Sequence, residues 1–147
     1  MHGVLGASGA SDATGLSSAL DGVRLSIHVL AAAVWVGGQF TMAGLVPAAR
    51  GLGEGATKTL ARAFGRIQWP AYALLVLTGL WNVSAVHAGQ PHAWQVVLGI
   101  KIAVVALAGV AAYLHTRATT TRGLAVWGAL ASLSSLTALV MGVFLAG

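Results

Sequence analysis

The sequence consists of long apolar stretches separated by short polar ones, and this pattern predicts α-helices. Four stretches are apolar over more than the roughly 20 residues that a helix needs to cross a bilayer. None of them has the continuous polar face of a helix exposed to water. We therefore predict an all-α, integral membrane four-helix bundle. Its helices are Val23–Ala49, Ala61–Ala85, Trp94–Thr116 and a last one from Gly123 to the C-terminus.

The segments around these helices predict one membrane domain behind a short tail. Residues 1–20 are rich in Gly, Ser and Ala and lack the basic and apolar regions of a signal peptide, so we expect a flexible tail before a domain of residues 21–147. Asp21 is the expected N-terminal cap of the first helix. Pro47 is expected to bend or stop that helix, and Pro70 to kink the second. Short links predict antiparallel neighbours.

Composition supports the membrane interpretation and removes several kinds of site. Of the 147 residues, 57% are hydrophobic and 7% are charged, whereas soluble domains carry about 25% charged residues. The chain has no cysteine, which excludes disulfides, iron–sulfur clusters and thiolate metal sites. Its eight basic residues lie mostly around helix ends without interleaved aromatic residues, so we expect no nucleic-acid partner.

The distribution of basic residues predicts the orientation in the membrane. Six of them flank the first and third links, on one side of the bilayer, and Arg24 alone flanks the other side. The positive-inside rule then places both termini outside, in a multi-pass protein of the cell membrane such as a prokaryotic plasma membrane. The six are Arg50, Lys58, Arg62, Arg66, Arg117 and Arg122.

Three ionisable residues fall inside the predicted spans, where such groups are costly and often functional. His28 and Lys101 lie about 6 and 10 Å inside the outer boundary at 1.5 Å per residue, so their depths are similar. His115 lies about 21 Å deeper than Lys101, so it cannot share a metal ion with His28. The alternatives are an interhelical hydrogen bond for His28, and side chains of Lys101 and His115 that reach to an interface.

We predict that His28 and Lys101 share one cofactor-binding pocket with Asn82 of the second helix and Trp35, which lies on the His28 stripe of the first helix. The acidic residues of the chain, Asp12, Asp21 and Glu54, all lie outside the predicted spans. A buried Lys101 ammonium therefore needs an acidic ligand, deprotonation or contact with water. His28 is the predicted metal ligand of this pocket.

The link between the second and third helices holds two further histidines, His87 and His92. Imidazole is a common ligand of Cu(II). We therefore predict a weak outer Cu(II) site here, and the alternative is that both side chains are simply solvated.

Three segments carry a resemblance to a known family. IHVLAAAVWVGGQF in the first helix, LLVLTGLWNV in the second and VVLGIKIAVVAL in the third resemble the CopD-like copper-resistance domain, over roughly residues 23–117. A more distant resemblance is to HemJ-like haem proteins, which are membrane protoporphyrinogen oxidases. The CopD-like resemblance implies copper uptake or tolerance. The HemJ-like one implies a haem site that pairs His28 with Lys101.

The possible metal ligands in the spans favour haem iron or Cu(II) over a Cu(I) path. A Cu(I) path uses soft Cys and Met ligands, and the spans hold only Met42 and Met141. Imidazole suits haem iron or Cu(II) better. We therefore expect a protein that binds haem b or copper in the outer half of the bundle, with a redox or metal-handling role.

Two other functions stay open, namely copper transport across the membrane and a non-catalytic subunit of a larger membrane complex. Besides the lipid bilayer, the expected partners are a redox or membrane-protein partner and a second copy of the chain. The sequence does not decide whether the protein is an enzyme.

Overall fold

The computed structural model describes residues 18–53, 55–86 and 89–146, and it is a bundle of four helices. We name these helices in chain order: α1 is Ala19–Arg50, α2 is Ala56–Val86, α3 is His92–Arg117 and α4 is Thr121–Ala146. The described residues contain no strand. All four helices are long and apolar enough to cross a membrane, which confirms the predicted fold class.

Helix α1 begins earlier than the sequence pattern indicated, and its cap is a different residue. Ser18, not Asp21, is the N-cap, because its hydroxyl accepts the backbone N–H of Asp21 at 3.2 Å. Asp21 lies in the first turn, where its carboxylate accepts the Ser18 hydroxyl at 2.7 Å. Residues 19 and 20, assigned to the tail, therefore belong to α1, and residues 1–17 lie outside the described part of the chain.

The two prolines do not end their helices. α1 continues past Pro47 to Arg50, and α2 contains Pro70 well inside its span. α2 also begins at Ala56 rather than Ala61, because the basic stretch before its apolar part is helical as well. The α1–α2 link is correspondingly short and turns through Gly53 at φ 105° and Gly55 at φ 89°, a conformation that favours glycine.

The helices pack as two antiparallel hairpins, α1 with α2 and α3 with α4. Trp35 of α1 donates its indole N–H to Ser135 of α4 at 2.8 Å. Tyr72 of α2 donates its hydroxyl to the carbonyl of Val105 in α3 at 2.9 Å, over Gly109. Each hairpin therefore contacts the other along both of its helices, and the bundle is closed.

The bundle is apolar on its outside and contains polar groups inside. Leu30, Val143 and Phe144 are 66%, 70% and 77% exposed, whereas Arg24 and Thr78 are buried. In water this arrangement would expose most of the apolar surface, which soluble monomers avoid. The fold therefore fits a multi-pass membrane protein whose outer surface contacts lipid.

The antiparallel packing gives the bundle two distinct ends. We call the end where α1 begins and α4 finishes the terminal end, and it also holds the α2–α3 link. We call the opposite end, which holds the α1–α2 and α3–α4 links, the basic end. The six basic residues counted above all lie toward it. Which end faces the cytoplasm stays a prediction from the positive-inside rule.

Candidate functional site

The centre of the bundle is an aromatic cluster built on an irregular turn of α1. Residues Ala33–Gly37 form a π-helical segment inside α1, a feature that is frequent at functional sites. It holds Trp35, which is only 2% exposed. The Trp35 ring lies 4.5 Å from the ring of Tyr72 and 6.0 Å from that of Trp69, between centroids. Trp35 is thus enclosed by protein.

A polar side chain satisfies the irregular backbone at this turn. The amide of Gln39 donates both to the Trp35 carbonyl and to the Ser135 hydroxyl, each at 3.1 Å. Its own Oε1 is buried without a partner in the described structure. The sequence pattern did not indicate a role for Ser135. Two side chains of α1, Trp35 and Gln39, nevertheless donate to its hydroxyl, which fixes α1 and α4 in register.

His28 lies nearer the terminal end, between α1 and α2, with its ring in a defined orientation. Nδ1 is 2.8 Å from Thr78 Oγ1. Thr78 Oγ1 also lies 2.7 Å from the Leu74 carbonyl and 3.3 Å from the Leu75 carbonyl. Because carbonyls only accept, we assign the single proton of the hydroxyl to them. Thr78 therefore accepts, His28 Nδ1 carries the proton, and Nε2 keeps its lone pair. Metal-binding histidines have this arrangement, in which the second ring nitrogen donates to an oxygen.

Two small residues of α2, Thr78 and Gly79, lie beside His28. A Cβ added to Gly79 would lie 3.4 Å from the His28 ring, an ordinary van der Waals contact. Thr78 was not identified as a site residue. The sequence offers one indication of its role: Thr78 lies one helical turn from Asn82, on the same face of α2.

Lys101 lies at the same level of the bundle as His28. The Trp35–Ser135 hydrogen bond marks a level that α1 and α4 share. Seven residues further toward the terminal end, α1 reaches His28 and α4 reaches Gly142. The Lys101 ammonium is 3.1 Å from the place of a Cβ on Gly142. It also interacts electrostatically with the His28 imidazole. The structure therefore places these two residues at one level of the bundle, and their role as ligands stays a prediction.

The Lys101 ammonium has no acidic partner among the described residues. The salt bridge in this part of the chain joins Asp21 to Arg24, at 3.0 Å, and does not involve Lys101. Lys101 is only half-buried, so the ammonium is within reach of a ligand. An acidic group within about 4–6 Å would favour the charged form of such an ammonium.

The other predicted site residues lie in different surroundings. Asn82 is one turn from Thr78 toward the terminal end, and its Oδ1 is buried without a partner in the described structure. His92 is the first residue of α3, not a loop residue, and is exposed. His87 lies outside the described residues, so the proposed pair of His87 and His92 remains a prediction.

His115 lies near the basic end, far from His28, as predicted. Its Nδ1 is 2.9 Å from the carbonyl of Leu124 in α4, and its ring packs over Gly128. Because a carbonyl can only accept, Nδ1 carries the proton here too. His115 thus links α3 to α4 beside their short connection.

These features define a class of protein: a multi-pass helical bundle with an oriented imidazole and, among the described residues, an ammonium without an acidic partner, at one level of its interior. Comparison with protein-family models, curated proteins and solved structures finds no match to this chain. The geometry of the site is therefore the basis for its proposed role.

Proposed function

We propose that this protein binds haem b in the terminal half of the bundle, with His28 as the iron ligand and Lys101 as a contact for a haem carboxylate. The observation that carries the proposal is the contact of His28 Nδ1 with Thr78 Oγ1 at 2.8 Å. It orients the ring and, with the Thr78 hydroxyl as acceptor, leaves the lone pair on Nε2. The HemJ-like resemblance of the sequence implies the same pair of residues.

The donor set favours haem over a copper ion held by side chains alone. Haem iron takes four ligands from its macrocycle and needs only one or two from the protein. The described residues contain no group of three or more His, Cys, Asp or Glu side chains that could hold a metal. A lone imidazole is therefore a sufficient ligand for haem and a poor one for free copper. The absence of cysteine favours a non-covalently bound b-type haem.

The Lys101 ammonium near His28 suits the carboxylates of haem. Haem carries two carboxylates, and Lys101 offers an ammonium that lacks an acidic partner in the described structure. A charge-assisted hydrogen bond between them would satisfy both groups. When bound, haem supplies one-electron chemistry or ligand binding at iron. The chain's own contribution is to hold the iron ligand in one tautomer and to neutralise the acid.

The test is an absorption spectrum of the protein purified in detergent, with metal content measured on the same sample. We expect a Soret band and iron in the wild type, loss of both in His28→Ala, and weaker retention in Lys101→Gln. The matched control is His115→Ala, which removes a histidine with the same Nδ1 arrangement at the other end of the bundle and should keep the spectrum.

Other results would favour one of the alternatives. Bound copper without a Soret band, together with copper uptake by proteoliposomes, would support a copper transporter. A colourless, metal-free protein that always purifies with the same partner would support a non-catalytic subunit. A full Soret band in His28→Ala would show that the iron ligand is misassigned.

A further inference from the structure

One helical turn from His28, toward the terminal end, two buried polar atoms lack partners. Arg24 is only 7% exposed. One of its terminal nitrogens binds Asp21 Oδ1 at 3.0 Å, while its Nε is buried without a hydrogen bond in the described structure. Asn82 Oδ1 is also buried without a hydrogen bond in the described structure. Buried polar atoms are nearly always paired, so each such case calls for an explanation.

The register of α1 and α2 places these two residues opposite each other. His28 and Thr78 are joined across the interface at 2.8 Å. Arg24 lies four residues before His28, and Asn82 four residues after Thr78, so each is one turn further toward the terminal end on the same face of its helix. The helices are antiparallel, and the two side chains therefore share one level. They do not bond each other.

We propose that Arg24 is a second contact for the acidic groups of the bound cofactor, beside Asn82 at the same level of the bundle. Arg24 and Lys101 then hold the carboxylates, and the acidic edge of the cofactor faces the terminal end. This inference rests on the haem-binding function proposed above. The chemistry recognised is a carboxylate or phosphate, because an inward guanidinium N–H and an ammonium one level away both donate to acid oxygens.

The salt bridge between Asp21 and Arg24 makes the proposed role of Arg24 measurable. Its carboxylate already occupies one side of the Arg24 guanidinium and therefore competes with an acidic ligand for the same charge. Removing the Asp21 charge should strengthen the attraction of Arg24 for the ligand. A guanidinium that served only to hold α1 in place would show the opposite, because loss of its partner would loosen it.

The experiment compares haem with haem dimethyl ester, which keeps the iron and ring and lacks both charges. Each is titrated optically into the cofactor-free full chain in detergent. For Arg24→Gln we expect roughly tenfold weaker binding of haem, the size of a hydrogen bond to a charged group, and unchanged binding of the ester. For Asp21→Asn we expect tighter binding of haem alone. Arg122→Gln, at the basic end, is the control and should change neither.

The outcomes separate this inference from the function on which it rests. If neither haem nor the ester binds the wild type, the proposed function fails. If both bind the wild type equally, the function stands and the carboxylate contacts do not exist. If Arg24→Gln weakens both ligands alike, Arg24 is structural. Unchanged ester binding shows in addition that the variant is folded.

A lipid phosphate could satisfy the same atoms, and a further arm tests that source. The titrations are repeated in detergent with added phosphatidylglycerol and with added phosphatidylcholine. If the anionic lipid alone weakens haem binding to the wild type and has no effect in Arg24→Gln, the site belongs to the lipid and the assignment to the cofactor is overturned. Equal haem affinity in both lipids supports the assignment.

Discussion

Thr78 illustrates how one hydroxyl controls the chemistry of a neighbouring imidazole. Its proton is assigned to the carbonyls of Leu74 and Leu75, and its oxygen lies 2.8 Å from His28 Nδ1. That geometry selects the tautomer with Nε2 free. Groups that orient a metal ligand in this way typically change metal affinity by about 10- to 100-fold when they are removed.

Replacing Thr78 with Val should therefore weaken haem binding by about tenfold, because Val keeps the shape of Thr and removes the acceptor. Thr78→Ser retains the hydroxyl and should stay close to the wild type. Optical titration of the two variants measures the difference. Equal affinities of the Val and Ser variants would show that the hydroxyl does not orient the ring.

At the scale of the helices, close contact between the two hairpins depends on Gly109, where a side chain crosses from one hairpin to the other. A Cβ on Gly109 would overlap the phenol of Tyr72, with 2.9 Å to its Cε1. The phenol uses this space to reach the Val105 carbonyl at 2.9 Å. Contact between α2 and α3 therefore depends on the missing side chain at residue 109.

Gly109→Ala should destabilise the bundle by about 1–3 kcal/mol, the usual cost of overpacking. Gly99 lies in the same helix with nothing within 4 Å of its added Cβ. Gly99→Ala should therefore be neutral or stabilising by up to about 1 kcal/mol, because alanine is the better helix former. Unfolding in detergent gives both free energies. A Gly109→Ala protein as stable as Gly99→Ala would contradict the contact.

For the whole molecule, the unequal distribution of charge between the two ends predicts its orientation. Six basic residues lie toward the basic end and Arg24 toward the other. We expect the basic end to face the cytoplasm and both termini to lie outside. Reporter fusions after α2 and after α4 should both report the outer side, and one in the α1–α2 link the inner side. A cytoplasmic reporter after α4 would refute this topology.

How far the sequence predicts the fold is clear from the individual helices. Apolar stretches longer than a bilayer is thick leave little choice but a membrane helix, since backbone groups in lipid must bond within the segment. The number and order of helices follow from that alone. The ends of helices follow less well: α2 begins at Ala56, because a basic stretch can be helical outside the apolar part. The π segment at Ala33–Gly37 left no recognised pattern in the sequence.

The sequence likewise predicts only some residues of the candidate site. Sequence alone indicated His28 and Lys101, because ionisable groups in a span are rare and depth follows from counting residues. It did not indicate Thr78, Ser135 or the inward side of Arg24, which are ordinary residues until a neighbouring helix is placed against them. Spacing along one helix determines which residues share a face. Only the packing of four helices decides which faces meet, and so which hydroxyl orients the imidazole and which buried atoms are left without partners.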